Sequence, residues 1–75
     1  MNVERLVAMV NDISAFFAGE AGPGAPAAVA SHLRRFWEPR MRGQIIAAYR
    51  TDPSSLRNLS DTGRAAIAEL ARTDT

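Results

Sequence analysis

The amino-acid sequence predicts an all-α fold, a small bundle of three to four short helices with a Pro39-induced break between the second and third. Three observations lead there. Apolar residues recur at spacings of three and four along most of the chain, as on the buried face of a helix. No stretch alternates apolar and polar residues as a half-buried strand would. Glycine and proline gather at a few places and divide the chain into helical lengths. With 75 residues, the chain makes one helical domain, residues 1–75, whose core is thin enough that a stabilising partner is expected.

The first helix is expected over residues 3–18, where Val3, Leu6, Val7, Val10, Ile13 and Phe17 form an apolar stripe. Asn2 caps its start, and Glu4 sits where the helix dipole favours negative charge. Met9 and Phe16, seven residues apart, widen the stripe on one flank. That flank lies either inside the bundle or against another protein. "GEAGPGAP" follows as a linker over residues 19–25, and Pro26 suits the first turn of a second helix over residues 26–37. Val29, Leu33 and Phe36 are expected on its inner face, with His32 and Trp37 at its two edges.

Pro39 pushes Glu38 out of helical geometry and opens a third helix over residues 39–50, with Met41, Ile45, Ala48 and Tyr49 inside. Residues 51–59, containing Asp52 and Pro53, read as irregular or as a short helical turn. Ser60 caps a last helix over residues 60–72 that turns Ile67 and Leu70 inward. Gly63 costs that helix about 1 kcal/mol relative to alanine.

Charge is unevenly spread. The net charge is +1, and all nine basic residues are arginine. A GC-rich coding bias accounts for most of that preference. Between His32 and Arg42, four arginines oppose Glu38, so this segment holds +3 and the rest of the chain −2. Arg42 borders the apolar sector of the third helix, where a guanidinium wants a carboxylate, carbonyls or an aromatic face. Glu38 is one candidate partner, and a carboxylate of another chain is the alternative. Trp37 serves as a core residue at the corner, as a binding residue, or as both, since Trp, Tyr and Arg are enriched at binding hot spots. His32 reads as a capping or edge residue with one hydrogen bond.

Catalysis has little to work with. There is no cysteine and only one histidine, which excludes a disulfide framework, a thiolate metal site and a multi-histidine site within the chain. His32 has no nucleophile and orienting acid in a defensible arrangement, and no glycine-rich phosphate loop follows a strand. The opening "MNVERLVAMVNDISAFF" lacks the basic start and unbroken apolar run of a signal peptide. No stretch reaches the roughly 18 apolar residues of a membrane span. A cytoplasmic location, with no membrane contact, is expected.

Two blocks, "ERLVAMVNDISAFF" and "VASHLRRFWEPRMRGQI", resemble the delta subunit of soluble NAD-dependent formate dehydrogenases. Met9, Asn11, Ile13, Phe16 and Phe17 match the first helix of that family. His32, Arg34, Phe36, Trp37, Pro39, Arg40, Met41 and Arg42 match its second block, with Glu38 where the family usually has aspartate. Beyond Tyr49 the resemblance fades, because "TDPSSLRNLSDTG" stands in place of a glycine-rich turn.

The resemblance implies a non-catalytic accessory subunit of a cytosolic molybdenum- or tungsten-dependent complex. Its large alpha subunit would carry the metal pterin and iron–sulfur clusters, and its beta and gamma subunits would pass electrons through flavin to NAD. The delta subunit itself would hold no cofactor. The expected mechanism is docking. Phe36, Trp37 and Met41 would keep the helix corner rigid, while Arg35, Arg40 and Arg42 present preorganised forks to the alpha subunit. The expected partner-binding residues are Met9, Phe16, His32, Arg34, Arg35, Trp37, Arg40 and Arg42. The alternative is a small helical nucleic-acid binder using the Arg34–Arg42 patch, and self-association through the Met9/Phe16 flank is a third possibility. Retention on heparin separates nucleic-acid binding from docking.

Overall fold

The computed structural model describes residues 2–73. Four helices follow one another: α1 (Val3–Ala21), α2 (Ala25–Phe36), α3 (Pro39–Thr51) and α4 (Asp61–Thr73). Short 3₁₀ turns at Gly22–Gly24 and Pro53–Leu56 join the first pair and lead into the last. Among the described residues there is no strand, so the fold is all-α. At 1.5 Å per residue α1 is about 28 Å long, close to the molecule's longest dimension of 30 Å. It is the spine on which the shorter helices are laid.

Local chemistry explains each boundary. The Asn2 side chain accepts the Arg5 N–H at 2.8 Å and caps α1. The helix runs to Ala21, through the first residues of the expected linker, and stops where Gly22 takes φ +54°. A left-handed residue there ends a helix cheaply only if it is glycine. Trp37 (ψ 141°) and Glu38 (ψ 149°) are extended, and Pro39 occupies the first turn of α3. The break between the second and third helices is therefore where proline sterics place it. Ser60 Oγ accepts the Gly63 N–H at 3.0 Å and its carbonyl accepts the Arg64 N–H, which caps α4.

The core draws on every helix. Leu6 and Val10 from α1, Val29 and Leu33 from α2, Ile45 from α3, and Ile67 and Leu70 from α4 are fully buried or nearly so. Leu56 and Leu59 join them from the connection between α3 and α4. Packing is most extensive between α2 and α4 and between α1 and α2. Two residues of the first block hold this arrangement in ways that periodicity does not reveal. Asn11 donates to the Asn58 carbonyl at 2.9 Å and accepts the Ser60 N–H at 2.8 Å. One amide thus pins both sides of Leu59 to α1. Asn11→Ala leaves those two backbone groups unpaired and should lower stability by about 1 kcal/mol, read as a shift of the urea midpoint; an unchanged midpoint refutes the pin.

Ser14 is buried, and its Oγ lies 3.2 Å from where a Cβ on Gly63 would stand. Gly63 is thus a point of close approach between α1 and α4. The cost anticipated for a glycine in this helix is accompanied by a packing gain that only the assembled structure displays.

Candidate partner-binding surface

Phe36 and Trp37 exchange the places expected of them. Phe36, expected inside, is 68% exposed, whereas Trp37, expected at the edge, is 6% exposed and part of the core. Consecutive helical residues differ by about 100° in direction, so the two flank the Val29–Leu33 stripe on opposite sides. Trp37 ends the helix, and its extended backbone lets the indole enter the corner between α2 and α3. Phe36 stays on the outer flank.

There it joins a row of rings. Phe16 meets Phe17 with ring centroids 5.2 Å apart, Phe17 meets His32 at 5.9 Å, and His32 meets Phe36 at 4.8 Å. The first two contacts are edge-on, the geometry favoured by aromatic quadrupoles. His32 is therefore placed by rings, and no hydrogen bond of the kind expected for it is present among the described residues. The Arg35 guanidinium stands over the Phe36 ring at 5.7 Å. Two depressions lie along the row. One, of about 430 Å³, is lined by Asp12, Ile13, Phe16, Phe17 and His32. The other, of about 300 Å³, is lined by Phe17, Ala28, Ser31, His32, Arg35 and Phe36. Phe16, at 62% exposure, and Phe36 stand at the two ends of the row. The expected Met9/Phe16 flank is thereby divided, because Met9 is half-buried and packs on the core.

The arginines divide as well. Arg42 donates to the Trp37 carbonyl at 2.6 Å and to the Arg34 carbonyl at 3.3 Å. It closes the carbonyl end of α2 instead of pairing with Glu38 or presenting its fork outward. Arg34 donates to Thr73 Oγ1 and so ties the ends of α2 and α4 together. Arg50 donates to the Ala71 carbonyl at 2.7 Å, and Arg64 reaches the carbonyls of Leu56 and Arg57. In all of these a cation meets the negative end of a helix or turn, where it is favoured. Arg35 and Arg40 remain outward, with no hydrogen bond or ion pair among the described residues. Arg42→Ala should lower stability by about 2 kcal/mol, as expected for charge-assisted bonds to partly buried carbonyls. A denaturant curve unchanged from the parent protein would return Arg42 to the interface.

Among the described residues no three His, Cys, Asp or Glu side chains converge as metal ligands. Without cysteine in the sequence, the chain has no thiolate for an iron–sulfur cluster, and its donor set does not fit one. No described helix is long and apolar enough to cross a membrane.

The family model described as "NADH-dependant formate dehydrogenase delta subunit FdsD" matches residues 5–72. The chain belongs to this delta-subunit family. No curated protein and no solved structure matches it. The family match runs through α4, well past Tyr49, where the resemblance had faded in the sequence. The matched span thus covers the positions of the aromatic row and most of α4.

Proposed function

We propose that this chain is a non-catalytic accessory subunit of a cytoplasmic, NAD-linked formate dehydrogenase, and that it docks on the large alpha subunit to support assembly or stability. The beta and gamma subunits would complete the complex. The metal pterin, iron–sulfur clusters and flavin would reside in those partners, and the delta chain would contribute surface. The observation that carries this reading is the row from Phe16 to Phe36. Two phenylalanines more than three-fifths exposed on a small domain, in line with two further rings, make a continuous apolar face of the kind proteins cover with another protein. Nucleic-acid binding through Arg34–Arg42 is the weaker reading, because Arg34 and Arg42 donate inward to the chain's own oxygens.

The test is recovery of the tagged chain from its own cell extract. The eluate is assayed for molybdenum or tungsten, iron and formate-dependent NAD reduction. Co-elution of that activity is expected, and the purified delta chain alone should show none. Recovery of the chain by itself, or with nucleic acid, overturns the proposal.

A further inference from the structure

We infer that the face between Phe16 and Phe36 receives one amphipathic helix of a partner subunit, and that a carboxylate on that helix pairs with Arg35. This rests on the accessory-subunit reading above and says what kind of element fills the surface.

Shape is the first argument. The ring-to-ring steps of 5.2, 5.9 and 4.8 Å are each close to the 5.4 Å pitch of an α-helix. A helix laid along the row places one side chain per turn beside successive rings, the i, i+3/i+4, i+7 pattern of helix-in-groove recognition. The two depressions share Phe17 and His32 as lining, so they adjoin as a shallow, open trough between α1 and α2 along which a single helix can lie. A second copy of this chain is the rival occupant, and cross-links between two delta chains would reveal it.

Charge is the second argument. Asp12 lines the trough at the Phe16 end and Arg35 at the Phe36 end. Arg35 has no carboxylate of its own among the described residues, and its guanidinium is steadied over the Phe36 ring. A fork held on an aromatic face is preorganised for carboxylate, so little freedom is lost when it pairs. Phe36 thus has two parts to play: it forms one end of the trough and it aims the cation.

The experiment uses the assembled complex from the chain's own cells. Phe16 and Phe36 are replaced in turn by photo-crosslinking benzoylphenylalanine, and the cross-linked peptides are sequenced. Both positions should trap one helical segment of a partner subunit, with apolar residues one turn apart and an acidic residue near the Phe36 cross-link. Arg35→Glu should weaken binding about thirtyfold, a hot-spot loss, with unchanged circular dichroism. Changing the trapped acidic residue to arginine should restore the affinity of Arg35→Glu. Cross-links between two delta chains, cross-links into a non-helical loop, or Arg35→Glu binding as tightly as the parent would each overturn the inference. If the parent chain co-elutes with the enzyme and neither position cross-links to a helix, this inference fails while the accessory role stands. If the parent chain co-elutes with no subunit, both fail.

Discussion

Trp37→Ala should remove about 3–5 kcal/mol of stability, the usual cost of truncating a large buried aromatic. A domain of this length has roughly 4–11 kcal/mol in total, so the variant would lie close to its folding limit. The size of the effect follows from where the indole sits. Trp37 is 6% exposed, it fills the only corner at which α2 passes directly into α3, and its carbonyl is an acceptor of the Arg42 guanidinium. A cavity there loosens two helices at once. As Trp37 is the only tryptophan, the comparison is best made by far-ultraviolet circular dichroism during urea unfolding. Trp37→Phe should keep most of the stability by keeping most of the ring. A loss of less than about 1 kcal/mol in the alanine variant would mean that the corner does not depend on the indole.

Gly63→Val should cost about 3 kcal/mol, at the upper end of overpacking penalties. A Cβ at this position already lies 3.1 Å from Val10 Cγ1 and 3.2 Å from Ser14 Oγ and Ser60 Oγ. Gly63→Ala needs those side chains to give by only a few tenths of an ångström and gains about 1 kcal/mol in helix propensity, so its net effect should be small. Valine adds two further methyls against α1, and the push also falls on the Ser60 cap that starts α4. The pair of variants separates propensity from packing. If valine and alanine prove equally well tolerated in chemical denaturation, α1 and α4 do not meet as closely as described.

The helical class, the Pro39 break, and the Asn2 and Ser60 caps were legible because each depends on residues within a few positions of one another. Periodicity and capping are local rules. Phe36 and Trp37 were not separable in this way, since both lie at the margins of the same stripe and the choice depends on how α3 leaves the corner. Gly63 looked like a local weakness because its compensation, contact with Val10 and Ser14, comes from a helix some fifty positions earlier. The arginines misled for a related reason. A sequence advertises guanidinium donors, but it hides the oxygens at helix and turn ends that accept them: Arg42, Arg50 and Arg64 donate to carbonyls there, and Arg34 to the Thr73 hydroxyl. Of the expected interface, Phe16, His32, Arg35 and Arg40 remain at the surface. Trp37 and Arg42 turn inward, and Arg34, although exposed, is tied to Thr73.

That inward use of arginine has a practical consequence. The one ion pair among the described residues, exposed Arg72 with half-buried Glu69 at 3.9 Å, is a long contact within a single turn and contributes little. Arg34, Arg42, Arg50 and Arg64 are matched to carbonyl and hydroxyl oxygens instead. Added salt screens exposed charges far more than short, partly buried contacts, so raising the ionic strength should leave the unfolding midpoint of the isolated chain nearly still. Attachment through Arg35 or Arg40 to a partner's carboxylates should weaken over the same range. Ionic strength therefore separates the two properties without mutation: it tunes how firmly the chain is held while leaving intact what is being held.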